Sequence, residues 1–187
     1  MTLDEITPAE IVAFWREAGP DRWFKADPDF DRTIRERFEG AHLAAARGDA
    51  ASWQNSPEGA LALLLLTDQF PRNLYRHSAH AYATDPLARA IAAHALGRRF
   101  DQAIEMPLRR FFYLPFEHHE DAASQILSVD LVTRLAELTG DNDGVRFAQL
   151  HAELITRFGR FPHRNIVLGR ESSAEELAYL ANGGFSG

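Results

Sequence analysis

One uninterrupted apolar run decides the fold: residues 60–66, ALALLLL, which continue into the polar segment 67–73, TDQFPRN. Ser56-Pro57-Glu58 before the run is a helix start signal, because serine caps a helix and proline suits its first turn. A helix that is apolar on every side must be buried on every side. Pro71 is expected to end it, because proline cannot continue the backbone hydrogen-bond ladder. The sequence therefore predicts a central, enclosed helix.

Helix signals also dominate both sides of this run, and no segment alternates with the period of two that is typical of strands. Further helices are predicted from Thr7-Pro8 to Gly19, from Pro28 to Arg47, from Asp85 to Gly97, from Glu105 to Tyr113, from Glu120 to Leu138, from Asp143 to Phe158 and from Ser172 or Ser173 onward. Short connections favour antiparallel neighbours, so we predict an all-α fold of about eight to nine helices stacked in pairs. We expect them to form a single domain over residues 1–187.

The composition excludes several classes of function. The chain has 187 residues, a formal net charge of −7 and no cysteine. The negative charge argues against sequence-independent nucleic-acid binding, which needs a basic face. The lack of cysteine excludes disulfides, zinc–thiolate sites and thiol nucleophiles. No apolar stretch approaches the roughly 20 residues of a membrane helix and no signal segment is visible, so we expect a cytoplasmic protein that does not bind membranes.

Two long helices near the C-terminus carry clear periodic patterns. In the helix 120–138, the inward face is predicted to consist of Ala123, Leu127, Leu131, Leu135 and Leu138. In the helix 143–158, His151 is also predicted to point inward, because the residues three and four positions away are all apolar. A buried imidazole needs a hydrogen-bond partner, which could be structural or could be a ligand.

A short motif occurs twice: residues 70–73, FPRN, and residues 161–165, FPHRN, each of which follows a helix. The repetition predicts one polar turn design at two helix ends, with Arg72 and Arg164 in equivalent positions. If the turns face each other, they form an anion pocket; otherwise the arginines neutralise helix carbonyls and nearby acids. Asp68 is expected to be buried and paired with Arg72 or with an arginine of the later turn.

Basic residues concentrate between residues 157 and 170, where there is no acid. Arg157, Arg160, Arg164 and Arg170 present planar guanidinium groups that suit carboxylate or phosphate. The segment 118–121, HHED, offers nitrogen and oxygen ligands for a metal ion, and His151 or His163 could complete the coordination shell. Its spacing matches no established ligand motif, so no metal and no cofactor are predicted.

The sequence resembles the bacterial family catalogued as domain of unknown function 924. The resemblance rests on residues 14–15, 19–20, 23–24, 61–73, 112–118, 157–165 and 168–170, and it extends over essentially the whole chain. It implies a tetratricopeptide-like helical fold with no established activity. The family's polar pattern falls on Asp68, Gln69, Arg72, Asn73, His118, Glu120, Asp121, Gln125, His151, Arg157, Arg160, His163, Arg164 and Asn165. The sequence departs from that pattern at His119, where serine is expected, and around residues 105–110.

The leading hypothesis is a pocket for a small anionic ligand. It would be lined by Asp68, Arg72, Asn73, His118, Glu120, Asp121, His151, Arg157, Arg160, His163, Arg164 and Asn165. If catalysis occurs there, His118 or His151 is the candidate proton carrier, and Arg72, Arg160 and Arg164 are the candidate anion clamp. The alternatives are a peptide-binding module of tetratricopeptide type, which would grip a partner's carboxylate, and a metal-dependent hydrolase.

Overall fold

The computed structural model describes residues 6–186, and it confirms the all-α prediction: 75% of the protein is helical, with no strand in the described range. The chain forms two compact units. Unit 1 comprises the described residues up to Arg76 together with His80–Pro115, and unit 2 comprises His77–Ala79 and the described residues from Phe116 onward. The single domain and the tetratricopeptide-like stacking stay predictions.

The predicted helix starts and stops are largely confirmed. The helices are α1 (Pro8–Ala18), α2 (Pro20–Trp23), α3 (Pro28–Arg47), α4 (Pro57–Leu64), α5 (Phe70–Leu74), α6 (Asp85–Gly97), α7 (Met106–Arg109), α8 (Leu114–Glu117), α9 (Ala122–Thr139), α10 (Asn142–Phe158) and α11 (Ala174–Ala181). Thr7 forms the capping box of α1, while Gly48, Gly140 and Gly159 end their helices in the left-handed conformation. Within residues 6–186, no helix is both long and apolar enough to cross a membrane.

The prediction of one helix over residues 105–113 is wrong. The segment divides into α7 and a 3-10 turn at Arg110–Phe112, and α8 follows from Leu114. The 3-10 turn is tighter than an α-helix, and it buries both Phe111 and Phe112.

The core of unit 1 forms around α4, as predicted. Every residue from Gly59 to Leu64 is buried, and α4 packs against α1 and α6. Trp15 of α1 is fully enclosed, and its ring lies 5.5 Å from Phe70 and 5.6 Å from Phe111. The aromatic side chains therefore fill the space beside the central helix.

The helix that contains α4 does not end before Pro71, which corrects the expectation. It widens into a π-helical turn, Leu65–Gln69, and continues into α5, in which Pro71 occupies the first turn. Pro71 has no N–H to donate to the carbonyl of Thr67, and the hydroxyl of Thr84 donates to that oxygen instead, at 2.6 Å. The wider turn and the external donor together accommodate the proline.

The neighbouring carbonyls of the π-helical turn are also satisfied by side chains. His42 Nδ1 donates to Leu66 O at 2.8 Å, and Arg72 Nη1 donates to Asp68 O at 2.6 Å. Buried backbone oxygens need such partners when the regular ladder is interrupted.

In unit 2, α9 packs along α10, and a small apolar core of Leu154, Ile155 and Phe161 lies beside them. The predicted inward face of α9 is confirmed for Leu135 and wrong for Ala123, Leu127 and Leu138. Its buried residues are Ser124, Gln125, Ser128, Val132 and Leu135, whereas Ala123, Leu127 and Leu138 are exposed. The helix is rotated because the surface it faces carries polar groups that need hydrogen-bond donors.

Candidate functional site

In unit 1, the predicted polar residues form a buried ion network. Asp68 is completely buried, and its Oδ1 lies 3.4 Å from Arg72 Nη1. Arg72 also donates from Nη1 and Nη2 to the two carboxylate oxygens of Asp85, at 3.0 and 3.1 Å. Burial lowers the pKa of Arg72, but the carboxylates of Asp68 and Asp85 outweigh it and raise the pKa above its usual value. The predicted pairing of Asp68 with Arg72 is confirmed.

The two related motifs have different structures, so the prediction of one shared turn design is wrong. Residues 70–74 form α5, whereas Pro162–Arg164 is a 3-10 turn. Asn73 donates to Asp31 Oδ1 at 2.8 Å, and Asn165 donates to Ser172 Oγ at 3.0 Å. The inserted His163 changes the turn. Arg72 and Arg164 nevertheless both donate to backbone carbonyl oxygens, as expected from the interpretation in which they neutralise helix carbonyls.

In unit 2, His151 is buried on α10 as predicted. Its Nδ1 lies 2.8 Å from the carbonyl oxygen of Phe147 and 3.3 Å from Glu117 Oε1. A carbonyl oxygen can only accept, so Nδ1 carries the proton and Nε2 of the neutral ring is the acceptor. Glu117 and the Phe147 carbonyl therefore fix the tautomer of His151.

Burial and neighbouring charges keep the imidazoles of His151 and His163 neutral. Burial lowers the pKa of His151 most, and the charges of His118, Arg164 and His163 lower it as well. The hydrogen bond to the carbonyl of Phe147 raises it by less, and the resulting pKa is about 3. Burial and then the Arg164 guanidinium lower the pKa of His163 to about 4. A carboxylate beside an imidazole ordinarily raises its pKa, so at His151 burial and the cationic neighbours prevail over Glu117.

Gln125 explains why α9 turns a polar face inward. Its Nε2 donates to the carbonyl oxygens of His119 at 2.7 Å, Glu117 at 2.8 Å and Phe116 at 3.4 Å, at and just beyond the end of α8. These three acceptors fix the orientation of the amide, and Oε1 is left buried without a partner among the described residues. Ser128 lies one turn further along the same face, and its buried Oγ also lacks one.

Arg164 connects the 3-10 turn to the segment after α8. Its Nη1 donates to the carbonyl oxygen of His118 at 3.0 Å, and its guanidinium lies 4.6 Å from the centroid of Phe161. The Phe161 ring also contacts the rings of His151 and His163, with centroids 5.3 and 5.7 Å away. The buried Nδ1 of His163 has no hydrogen-bond partner in the described part of the chain.

We call this set of residues the histidine cluster, and it includes Ser128 because Ser128 lies one turn from Gln125 on the buried face of α9. It consists of Glu117, His118, Gln125, Ser128, His151, His163 and Arg164. His118 and His151 are 6.4 Å apart between ring centroids. The sequence analysis singled out His118, His151, His163 and Arg164 and found Gln125 through the family pattern, but it missed Glu117 and Ser128. Ser128 was missed because hydroxyl residues on a leucine-rich helix are usually placed outside.

Glu120 and Asp121, also predicted, lie beside the histidine cluster in other roles. Glu120 receives two hydrogen bonds from Arg170, at 2.6 and 2.9 Å, and one from the N–H of Phe161. Asp121 caps α9 and pairs with His119. Burial raises the pKa of Asp121, but hydrogen bonds from Ser124 and His119 lower it to about 2.

The remaining predicted residues hold α11. Arg157 pairs with Glu175 at 2.8 Å and Arg160 with Glu176 at 2.7 Å. Asn165 accepts from Arg170 Nε at 2.9 Å, so it belongs to the same supporting network. Arg160 as part of an anion clamp stays a prediction.

The described residues contain no group of three or more histidine, cysteine or acidic side chains placed to hold a metal ion. Two surface depressions of about 330 Å³ occur elsewhere. One is lined by α10 residues including Phe147 and Glu153, and the other includes Asp31, Asn73 and Arg76.

A sequence profile of a bacterial family of unknown function, DUF924, matches residues 11–184. The chain belongs to this family. A protein of unknown function from Agrobacterium tumefaciens has a similar structure, with a TM-score of 0.89; its sequence is 50% identical, and the match covers 94% of this chain and 97% of that one. No curated protein matches the chain. The histidine cluster lies entirely within the residues that the family profile matches.

Proposed function

We propose that unit 2 binds a small anionic molecule at the histidine cluster. The observation that supports this most directly is that three of its buried polar atoms have no partner within residues 6–186: Gln125 Oε1, Ser128 Oγ and His163 Nδ1. Leaving such an atom unsatisfied costs about 1–3 kcal/mol, and native proteins retain few of them. A bound molecule that supplies hydrogen bonds would account for all three.

The charge of the ligand follows from the electrostatics of the cluster. Burial lowers the pKa of His151 most, and the Arg164 guanidinium, which is always charged, lowers it as well, so Arg164 contributes a positive potential at that ring. An anion would offset this potential and would favour the protonated imidazole. The preferred ligand is therefore negatively charged.

The hydrogen-bonding groups of the cluster restrict which anions could bind. Gln125 Oε1 accepts only, so its partner must be an N–H or O–H of the ligand. Ser128 Oγ can donate or accept, and Arg164 provides a cationic donor. Hydrogen phosphate and hydroxycarboxylates have the required combination of charge, acceptors and a donor.

The test is Ser128→Ala with thermal unfolding in the presence of phosphate or hydroxycarboxylates. The wild-type protein should melt at a higher temperature as the ligand concentration rises, because a ligand of the native state stabilises it. In the variant this shift should shrink, while the ligand-free protein should be at least as stable as wild type, because the lost hydroxyl has no partner among the described residues. If the ligand raised the melting temperature of both proteins equally, the hydroxyl of Ser128 would not contact the ligand, and the proposal would be contradicted.

Thr156→Val is the control, because it removes a hydroxyl from α10 that only donates to the carbonyl of Ala152. It should leave the ligand shift unchanged. Arg157→Gln is a second control, which removes a positive charge outside the histidine cluster, because Arg157 is exposed and paired with Glu175. It should also leave the ligand shift unchanged. A wild-type protein that no anion of either class stabilises would also contradict the proposal.

Catalysis at the site depends on the proton affinity of the histidines. A proton carrier needs a pKa near the working pH, and His151, with a pKa of about 3, meets this condition only when an anion raises it. The peptide-binding module and the metal-dependent hydrolase stay predictions.

A further inference from the structure

The outer face of α9 carries large exposed apolar side chains. Ile126 is 72% exposed and Leu138 is 62% exposed, and Leu127 between them is exposed as well. These side chains lie outside because Ser124, Gln125 and Ser128 occupy the inner face. Exposed apolar surface of this kind on one element is typical of a protein contact.

Three exposed residues of α9 and the partly exposed Asp130 form one continuous row. Ile126, Asp130, Arg134 and Leu138 follow each other at intervals of four, so they lie along a single ridge of the helix. Asp130 and Arg134 form an ion pair of 2.8 Å in the middle of the row, and the Arg134 side chain is 70% exposed. We call these four residues the α9 ridge.

The α9 ridge is complementary to itself when its direction is reversed. Its order is apolar, acidic, basic, apolar. An antiparallel second ridge places Ile126 beside Leu138 of the second copy and Asp130 beside Arg134 of the second copy. Two-fold symmetry forms each of these contacts twice, as in any isologous dimer. Ridges made by residues four apart also pack into each other's grooves, with helices crossing at about −50°.

We propose that α9 is a dimer interface, which pairs with α9 of a second copy of this chain about a two-fold axis. The charge pattern identifies the partner, because a different protein would not be expected to mirror the order of the ridge. The α9 ridge spans about 18 Å from Ile126 to Leu138. A single ridge of that length is expected to bury less than the roughly 800 Å² per partner of a standard interface. Association is therefore expected at micromolar concentrations.

Sedimentation velocity of the whole chain, from about 1 to about 500 μM, tests the proposal. The wild-type protein should shift from monomer to dimer within this range. The Asp130→Arg variant places two arginines opposite two arginines, and the Arg134→Asp variant places two acids opposite two acids. Each variant alone should dimerise at least about tenfold more weakly, because like charges are brought together.

Mixing the two variants gives the decisive measurement. In an antiparallel pair of one Asp130→Arg chain and one Arg134→Asp chain, both contacts again join opposite charges. The mixture should therefore recover the dimer that neither variant forms alone. Circular dichroism verifies that each chain is folded, and recovery in the mixture shows independently that both chains retain a competent surface.

Leu138→Asp should weaken the dimer, and Leu177→Asp is its matched control, because Leu177 is an exposed leucine of α11. The proposal is overturned if the wild-type chain stays monomeric throughout the range. It is also overturned if the chain dimerises equally well with either charge reversal, since another surface would then hold the dimer.

Discussion

Asp68 and His151 are both buried ionisable residues, and the protein handles their charge in opposite ways. Asp68 stays beside the guanidinium of Arg72, which Asp85 also contacts, so opposite charges are enclosed together. His151 is neutral instead, because burial and cationic neighbours lower its pKa to about 3. A charge is retained only where its counter-charge is buried with it.

Asp68→Ala tests the first of these arrangements. Removing one partner of a buried pair typically costs on the order of 3–5 kcal/mol, and we expect the lower end because Arg72 keeps Asp85. Urea denaturation measures the loss in the free energy of unfolding. Asp130→Ala is the control, because its pair with Arg134 is exposed and should be worth about 0–1 kcal/mol.

The double variant Asp68→Ala/Arg72→Met separates a pair from two independent sites. It should lose less stability than the sum of the single losses, because the interaction between Asp68 and Arg72 is then lost only once, although Asp85 also loses its bonds from Arg72. Simple additivity would mean that Asp68 is stabilised by groups other than Arg72.

At the scale of single elements, the sequence located helices well and their faces less well. The ends of α1, α3 and α10 were marked by capping residues and by glycines with positive φ, which are local signals. The inward face of α9 was assigned by assuming an apolar interior, whereas the interior there contains the carbonyls that Gln125 satisfies. Periodicity cannot report which surface a helix meets.

The candidate site shows the same limit. His151 could be predicted because its own helical neighbours are apolar, and Arg164 because its motif is distinctive. Glu117 and Asp85 could not be predicted as partners, since each is far in sequence from the residue it pairs with. The pairing follows from tertiary packing, and no spacing within a helix encodes it.

The π-helical turn leads to a prediction about Thr84. Thr84→Val removes the hydroxyl that donates to Thr67 O, and Pro71 cannot replace it. The buried carbonyl would be left unsatisfied, so we expect a loss of about 1–3 kcal/mol in the free energy of unfolding. Thr156→Val provides a comparison in chemical denaturation, because its hydroxyl is exposed and the helix supplies the other bonds. Equal losses for the two variants would contradict the role given to Thr84.

For the whole molecule, neutral buried histidines predict sensitivity to acid. The pKa of His151 is lowered to about 3 and that of His163 to about 4, and burial lowers the pKa of His42 as well. The unfolded chain binds these protons below about pH 6.5, whereas the native protein does not. The stabilisation is therefore complete above about pH 6.5 and is lost progressively as the pH falls toward 4.

Urea denaturation at a series of pH values measures this effect. Between about pH 6.5 and 5.5, above the range in which most carboxylates titrate, the free energy of unfolding should fall by up to about 1.4 kcal/mol per pH unit for His151 and for His163. His163→Gln should reduce the slope by up to that amount. His77→Gln, at an exposed position, should leave it unchanged. A profile that is flat in this window would mean that His151 and His163 are not held neutral.

The widened turn at Leu65–Gln69 also fixes the length of the chain at that point. Deleting one residue there would return the segment to regular α-helical bonding, which is locally favourable. It would also rotate every later residue of the helix by about 100° and shift it by about 1.5 Å. Arg72 would then leave Asp85, and Thr84 would lose its acceptor. Proteins that keep these contacts should therefore have no insertion or deletion in this segment, although a segment one residue shorter would form a more regular α-helix.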